Sequence, residues 1–267
     1  MASVVRISIA PVKGTRLIHP SQAELTERGV VENRRFLVVG EDGRHLRSET
    51  TAWTLLVTSR YDAANEELEL TLPNGTCVRG SALPTGETVV TYIEPGPRRV
   101  EMQIVEGPWT EHLTRLAGAP VRLARPHQPG ASLTEPVTIL STGSVERLER
   151  EAGQAVDSRR FRMLFTVDGL SEHEEDTWEG QPVSIGDATV RVAGPVDRCV
   201  VITRHPETSE RDLDVLRMIK NYRGTRRKHI DFGMFATVEE PGTVRVGDAV
   251  SLLGLRSRVQ VSPETTC

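Results

Sequence analysis

Short apolar runs separated by turn residues dominate the first half of the chain. Strands are predicted at residues 4–9, 23–26, 33–39, 54–60, 68–72 and 88–93. Glycine, proline and asparagine separate them, most clearly in the turns at 41–44 and 73–75. Strands this short, at intervals of roughly 8–12 residues, are typical of antiparallel barrels. The first half is therefore expected to be barrel-like.

The hydrophobic period changes near residue 108. Trp109, Leu113 and Leu116 recur at helical spacing and Gly118 follows, which predicts a short helix. Further strands are predicted at 121–124, 137–140, 161–167, 183–185, 189–192, 232–238 and 244–253. Helices are predicted after Ser144, taken as an N-cap, and over 212–222, with an acidic loop at 172–175.

These patterns predict a mixed α/β chain that is mostly β, in two domains. Residues 1–126 are expected to form the antiparallel barrel-like domain, and residues 131–255 a second domain with peripheral helices. The proline- and glycine-containing stretch 126–130 is predicted to be a linker or crossing loop. The polar tail 256–267 is expected to fray, which leaves Cys267 without a role.

Composition and charge narrow the function. The chain has 267 residues, of which 37% are hydrophobic and 26% charged, enough to bury a substantial core. A formal net charge of −4 argues against a nucleic-acid partner, because tracking phosphates needs a basic surface. No apolar run approaches the roughly 18 residues of a membrane span, and the first residues lack a secretory pattern. A cytoplasmic protein without a membrane partner is the expectation.

The number and spacing of the cysteines limit the redox chemistry that the chain can perform by itself. Cys77, Cys199 and Cys267 are too few and too scattered for a disulfide framework. They also cannot supply the four thiolates that a ferredoxin-type iron–sulfur cluster requires. A redox enzyme of this sequence would therefore take its electrons from another polypeptide.

Cys199 lies in the run Asp197-Arg198-Cys199 and is followed by the apolar, β-branched stretch 200–203. The neighbouring guanidinium favours thiolate over thiol, and a thiolate is both a nucleophile and a soft metal ligand. Because the stretch resembles a strand, it is predicted to fix the sulfur rigidly. The alternative is that Cys199 is a small buried hydrophobe. These residues alone do not distinguish whether Cys199 is a nucleophile, a metal ligand or a buried core residue.

Several motifs occur in a consistent order over residues 4–254. They are Pro11-Val12-Lys13-Gly14, Arg28-Gly29, Asn33-Arg34-Arg35-Phe36, Glu41-Asp42-Gly43, Phe161-Arg162, Asp176-Thr177-Trp178, Arg198-Cys199, His205-Pro206-Glu207-Thr208 and Pro241-Gly242-Thr243. Together they resemble MOSC proteins, which are named after the C-terminal domain of the molybdenum cofactor sulfurases. The resemblance implies a MOSC N-terminal β-barrel domain followed by a MOSC β-barrel domain.

Within that group the chain is similar to the mitochondrial amidoxime-reducing component and its bacterial relatives. The resemblance implies a molybdenum cofactor (molybdopterin), with Cys199 as the metal ligand. It places Lys13, Gly14, Arg34, Arg162 and Arg198 at cofactor-binding positions. Two further cofactor-binding positions match more loosely, and they are Arg47 and Thr142. Pyridoxal phosphate is not indicated.

The resemblance further implies reduction of a small N-oxygenated substrate of the hydroxylamine, amidoxime or N-oxide type. Electrons would come from a separate flavin or iron–sulfur protein, and Asp197 or Asp176 would relay protons near Cys199. Two alternatives stay open. One is a metal-free MOSC enzyme that uses the Cys199 thiolate as nucleophile or sulfur carrier, and the other is a non-catalytic molybdopterin-binding protein.

Some positions depart from the family pattern. Gly14 and Asn33 replace a common serine and aspartate, and Asp197 replaces a serine before Arg198. Met163 and Leu164 stand where proline and asparagine are usual. These departures permit a variant substrate, or a chain that has given up the metal.

Overall fold

The computed structural model describes residues 1–47, 51–93, 98–127 and 135–254. It is mostly β, as predicted, with three α-helices within the described residues. None of the described helices is long and apolar enough to cross a membrane. The predicted linker lies partly outside the described residues, and the tail 256–267 lies entirely outside them.

Two small antiparallel sheets form most of the first half, in the orders β4-β10-β9-β8 and β5-β6-β7. The elements of this half are β1 (Ser3–Ile7), β2 (Gln22–Thr26), β3 (Gly29–Val30), β4 (Leu37–Gly40), β5 (Thr58–Asp62), β6 (Glu67–Thr71), β7 (Cys77–Ser81), β8 (Thr88–Ile93), β9 (Arg98–Val105), α1 (Trp109–Ala117) and β10 (Val121–Pro126). The predicted helix at 108–118 is confirmed, and Gly118 ends it at a φ of 69°.

The core of this half follows from the alternation of side chains along β4. Phe36 and Val38 pack with Trp109 of α1 and with the sheet β5-β6-β7. Leu37 and Val39 point to the other face, where they pack against β9. Because successive side chains of a strand point to opposite faces, an unbroken apolar run is buried on both sides.

A seven-stranded sheet forms the second half, in the order β1-β12-β11-β15-β14-β13-β17. Its further elements are β11 (Val137–Ser141), α2 (Thr142–Ala152), β12 (Phe165–Asp168), β13 (Pro182–Ile185), β14 (Ala188–Asp197), α3 (Val215–Arg223), β15 (Asp231–Glu240), β16 (Gly242–Arg245) and β17 (Val250–Leu252). Helices α2 and α3 pack on each other over a cluster that contains Phe161 and Phe232.

The start of the chain is interleaved with its end. β1 pairs with β12, where Ile7 lies opposite Phe165, and Val4 N donates to the Asp248 carbonyl at 2.9 Å. β2 pairs with β16 in a separate three-stranded sheet. Residues 3–30 therefore contribute strands to sheets of the second half, whereas the domain boundaries at 126 and 131 stay a prediction.

Two strands begin later than predicted, because an arginine in left-handed backbone precedes each. The strand predicted at 33–39 begins at Leu37, after Arg34 at a φ of 53°. The strand predicted at 161–167 begins at Phe165, after Arg162, also at 53°. Left-handed backbone interrupts the extended chain, so both arginines lie in turns.

Three further segments form 3-10 helices. They are Ala52–Leu56, where a strand was predicted, Glu174–Trp178, where a loop was predicted, and Ser158–Phe161. The predicted strand at 244–253 is divided into β16 and β17 by a turn. The short strands β3 and β7 and the long strand β9 were not predicted.

Helix α2 begins earlier than predicted, and Ser141 rather than Ser144 is its N-cap. The Ser141 hydroxyl accepts from Ser144 N. The fully buried Glu175 completes this cap. Its carboxylate accepts from Ser141 N at 3.1 Å and from the hydroxyls of Ser141 and Ser144 at 2.7 Å each. Burial raises the pKa of Glu175, and these hydrogen bonds oppose the rise.

We expect Glu175→Ala to lower the free energy of unfolding by about 2–4 kcal/mol, because it leaves buried donors of Ser141 and Ser144 unpaired. Urea denaturation of both proteins measures the difference. The matched control is Glu179→Ala, which removes an exposed carboxylate paired with Arg226 and should cost less than about 1 kcal/mol. Equal losses in the two variants would contradict the structural role of Glu175.

Candidate functional site

Cys199 lies where β14 ends and a 3-10 helix, Val200–Thr203, begins. The predicted strand at this point is wrong. The Cys199 carbonyl accepts from Ile202 N at 3.3 Å, and Thr203 Oγ1 donates to the Val200 carbonyl at 2.7 Å, so the chain turns instead of extending. The Cys199 side chain is exposed and forms no disulfide within the described residues. The alternative of a small buried hydrophobe is therefore wrong as well.

Arg198 points the opposite way, into the protein, and is 9% exposed. Its Nε donates to the Phe232 carbonyl at 2.7 Å and one terminal nitrogen donates to the Phe161 carbonyl at 2.9 Å. The other terminal nitrogen contacts Met163 Sδ at 2.8 Å. Most of its donors are therefore used within the protein. Arg198 therefore contributes its positive charge to the candidate site rather than a hydrogen-bond donor.

Two departures from the family pattern belong to this packing. Met163 is buried against the Arg198 guanidinium. Leu164 is buried in the main core, and its backbone N donates to Thr138 Oγ1 at 2.8 Å. The absence of a side chain at Gly233 allows this close packing, because a Cβ there would lie 2.9 Å from the Ile139 carbonyl oxygen and 2.7 Å from Met163 Cε.

Arg162 and Arg34 add two more cations beside Cys199. Arg34 donates to the Arg162 carbonyl at 3.2 Å, and Arg162 donates to the Thr15 carbonyl at 2.6 Å. Burial lowers the pKa of Arg162 to about 9 and that of Arg198 to about 9, and in both the charge of Arg34 adds to the lowering while Cys199 opposes it. Arg162 and Arg198 are therefore charged at neutral pH. Since the interaction is mutual, Arg162 and Arg198 favour the thiolate of Cys199.

Lys13 and Gly14 lie in a tight turn that adjoins these arginines. Thr15 N donates to the Val12 carbonyl at 3.1 Å, and Lys13 N donates to the Phe36 carbonyl at 2.8 Å. Gly14 has a φ of 94°, a backbone conformation that favours glycine over serine. The turn continues into Thr15, whose carbonyl binds Arg162, so the structure brings Lys13, Gly14, Arg34 and Arg162 together.

Thr142 and Arg47 match the family's cofactor-binding positions less closely than the other candidates. Thr142 donates to Asp168 at 2.5 Å. Asp168 ends β12, whereas Arg162 precedes that strand, so Thr142 lies at the opposite end of β12 from the arginine cluster. Arg47 is exposed, and its carbonyl accepts from Thr51. Their roles in cofactor binding stay predictions.

The predicted acids occupy different surroundings. Asp197 is exposed, and its carboxylate contacts His229 Nδ1 at 2.8 Å and accepts from Ile230 N at 3.1 Å. Opposite it on β15 lies Asp231, which the sequence analysis missed. Burial, together with the charge of Asp197, raises the pKa of Asp231.

Asp176 belongs to a separate polar cluster at the end of α3. One of its oxygens accepts from Arg223 at 2.5 Å, and the other is buried with no hydrogen-bond partner among the described residues. His173, also missed from the sequence, stacks on Tyr222 with ring centroids 5.8 Å apart and contacts Arg223. Burial and the charge of Arg223 lower the pKa of His173 to about 4, so the ring is neutral at pH 7.

The donor set does not form a self-contained metal site. Among the described residues, no group of three or more His, Cys, Asp or Glu side chains could hold a metal ion. The site instead offers one exposed thiol surrounded by partly buried and buried cations. That set fits an anionic cofactor that brings its own sulfur ligands to the metal and takes one more thiolate from the protein.

We expect Cys199 to react with iodoacetamide at pH 7 roughly tenfold faster than Cys77, because two guanidinium groups favour its thiolate. Cys77 is the internal control, since it is also exposed. Peptide mass spectrometry gives the alkylation rate at each cysteine. Arg162→Gln should reduce the difference in alkylation rate between Cys199 and Cys77. Equal rates at the two cysteines in the wild-type protein would contradict this electrostatic account.

We expect the protein to lose stability as the pH falls from about 6.5 to about 4. The lowered pKa of His173 means that the unfolded chain binds a proton in this window while the folded chain does not. The loss is about 2 kcal/mol after allowance for the partial exposure of the ring. Urea denaturation at pH 4.5 and 7, compared between wild type and His173→Gln, isolates this contribution. An equal pH dependence in both proteins would contradict it.

Known proteins show the same sequence arrangement. The family profile described as "MOSC N-terminal beta barrel domain" matches residues 1–89, and the profile "MOSC domain" matches residues 113–251. The chain is 26% identical to the mitochondrial amidoxime-reducing component 1 of Homo sapiens, over 95% of this chain and 84% of that protein. It is 25% identical to a molybdenum cofactor sulfurase of Caenorhabditis briggsae, over 94% of this chain and 36% of that protein.

One solved structure that resembles this chain is the YuaD protein from Bacillus subtilis, with a TM-score of 0.43 and 12% identity over 94% of both chains. The family profiles carry the assignment, because the MOSC profile alone matches more than half of the chain and the N-terminal profile precedes it. This chain therefore belongs to the MOSC family and combines a MOSC N-terminal β-barrel domain with a MOSC domain.

Proposed function

We propose that this chain is a molybdenum cofactor oxidoreductase that reduces small N-oxygenated compounds of the hydroxylamine, amidoxime or N-oxide type. The observation that carries the proposal is the exposed thiol of Cys199 beside the partly buried Arg34 and Arg162 and the buried Arg198. The names of its relatives support a molybdenum cofactor activity in general, and the amidoxime-reducing relatives support the substrate class.

The residues have distinct roles in this proposal. Cys199 provides the thiolate ligand, and Arg198 holds the turn that presents it. Lys13, the backbone of Gly14, Arg34 and Arg162 bind the anionic and polar parts of the cofactor, since charge-assisted hydrogen bonds suit phosphate and pterin groups. When bound, molybdopterin supplies the two-electron redox chemistry of molybdenum.

The reaction requires protons as well as electrons. Reduction of R–NH–OH to R–NH2 consumes two electrons and two protons and releases water. Asp197 is the better candidate for a proton relay, because it is exposed two residues before Cys199 and lies opposite Asp231. Asp176 is a weaker candidate, since one oxygen is held by Arg223 and the other is buried.

The electron donor is proposed to be a separate flavin or iron–sulfur protein. Three cysteines are too few for a cluster of the chain's own that needs four thiolates. A cytoplasmic location and the lack of nucleic-acid and membrane partners stay predictions.

A second candidate function follows from the same thiol. The similarity to the sulfurase of Caenorhabditis briggsae and the exposure of Cys199 favour a metal-free protein in which this thiolate carries sulfur or acts as a nucleophile. A third candidate, a non-catalytic molybdopterin-binding protein, would contain pterin but show no turnover.

We expect the wild-type protein, expressed in a host that makes the cofactor, to contain molybdenum and pterin and to reduce benzamidoxime with a chemical reductant. Cys199→Ser should lose more than about 100-fold of this activity, because the substitution removes the thiolate ligand. Cys77→Ser is the matched control and should keep the wild-type rate. Elemental analysis, pterin fluorescence and product assays measure these quantities.

Each alternative has its own result. A persulfide on Cys199 in protein that contains neither molybdenum nor pterin would replace this proposal with the sulfur-carrier function. Bound pterin with equally absent turnover in wild type and Cys199→Ser would replace it with the non-catalytic function.

A further inference from the structure

The motif His205-Pro206-Glu207-Thr208 lies on a hairpin, residues 204–211, that has no part in the proposed reaction. This hairpin begins directly after the 3-10 helix that Cys199 precedes. An antiparallel backbone bridge closes the hairpin at its ends. The Nδ1 atom of His205 accepts from Glu207 N at 3.1 Å, which fixes the backbone at Glu207. The hairpin is therefore an ordered extension of the segment that presents the thiol.

The Glu207 carboxylate contacts guanidinium groups from both halves of the chain. Arg159, from the second half, donates to one of its oxygens. Arg16, from the first half, lies 3.4 Å from the other oxygen. A second nitrogen of Arg16 donates to the Glu207 backbone carbonyl at 2.9 Å. Glu207 therefore connects the hairpin to two segments that are far from it in the sequence.

Both of these segments determine where the Arg162 guanidinium lies. Arg16 follows Thr15, whose carbonyl accepts from Arg162 at 2.6 Å. Arg159 lies in the 3-10 helix that continues directly into Arg162. The hairpin, in turn, continues the segment of Cys199. A contact between the hairpin and these segments therefore bears on the distance between the Arg162 guanidinium and the thiol.

Ser209 provides a second connection between the hairpin and the first half. Its hydroxyl donates to the Ala52 carbonyl at 2.7 Å, and the residue is only 4% exposed. Its own carbonyl accepts from Arg204 at 2.7 Å. The hairpin thus contacts the first half at two points, one through an ion pair and one through a neutral hydrogen bond.

We propose that Glu207 is a positioning residue, which holds the Cys199 thiol close to the Arg162 guanidinium by fixing the hairpin to the first half. The influence of a charge on a thiolate falls with distance, so a displaced thiol loses part of it. The Glu207 side chain is 42% exposed, and exposed ion pairs add little to stability. Loss of Glu207 should therefore alter the thiol more than the fold. Its importance for catalysis rests on the proposed function, whereas its effect on the thiol does not.

The test measures the rate at which iodoacetamide alkylates Cys199 at pH 7 in the full chain, purified from a host that does not make the molybdenum cofactor. Glu207→Gln and Arg16→Gln should each lower this rate at least about threefold, because both release the hairpin. The two substitutions change the charge in opposite directions. A charge effect alone would raise the rate in Glu207→Gln and lower it in Arg16→Gln. The rate at Cys77 is the internal control.

Matched variants separate the position of the thiol from the charge of the hairpin. Glu210→Gln removes the same charge from the same hairpin, and within the described residues the Glu210 carboxylate accepts only from Thr208 Oγ1, at 3.5 Å. Its rate should stay within about 1.5-fold of wild type. Glu207→Asp keeps the charge on a shorter side chain and should give an intermediate rate. Ser209→Ala releases the second connection without a charge change and should also lower the rate, which provides a second measurement if Glu207→Gln folds poorly.

Three results would overturn the proposal. They are an unchanged rate at Cys199 in Glu207→Gln protein that urea denaturation shows to be folded, a rate that rises in this variant, and equal losses in Glu207→Gln and Glu210→Gln. Alkylation needs neither molybdenum nor turnover. A protein without molybdenum and pterin would thus contradict the proposed reductase and leave this test of Glu207 intact.

Discussion

The buried guanidinium of Arg198 links the three segments that surround Cys199. It binds carbonyls from the end of the 3-10 helix Ser158–Phe161 and from β15, while its own backbone N donates to the Ile230 carbonyl at 2.8 Å. These bonds offset the cost of removing a charge from water, which would otherwise be several kcal/mol. Arg198 therefore orders the segments next to Cys199 and at the same time supplies positive charge to the thiol.

The same geometry explains why the segments near the site are irregular. Arg34 and Arg162 both adopt left-handed backbone, which directs their side chains out of the strands that follow them. Gly233 lies in β15 without a Cβ because that space is filled by Met163 and the Ile139 carbonyl. A glycine inside an otherwise apolar strand often marks such a close approach. This was the one sequence signal that could have indicated how tightly Arg198 is packed.

Sequence patterns predicted those features that depend on local periodicity. The mostly β class, the helix α1 and the amphipathic face of α3 follow from spacing alone, as does the turn at 73–75. The 3-10 helix after Cys199 was missed because β-branched residues favour strands, and only tertiary packing overrides that preference. Asp231 and His173 were missed because residues far apart in the sequence meet only in the folded chain.

The interleaving of β1 with the second half affects how the chain folds during synthesis. β1 is made before its partner β12, which follows about 160 residues later, and the contact with Asp248 forms later still. At a translation rate of roughly 5–20 residues per second, β1 waits many seconds with an unpaired edge. Long-range pairing of this kind slows folding and exposes strands to aggregation. The edge of β1 that pairs with β12 is therefore exposed to wrong partners until residues 165–168 have been made.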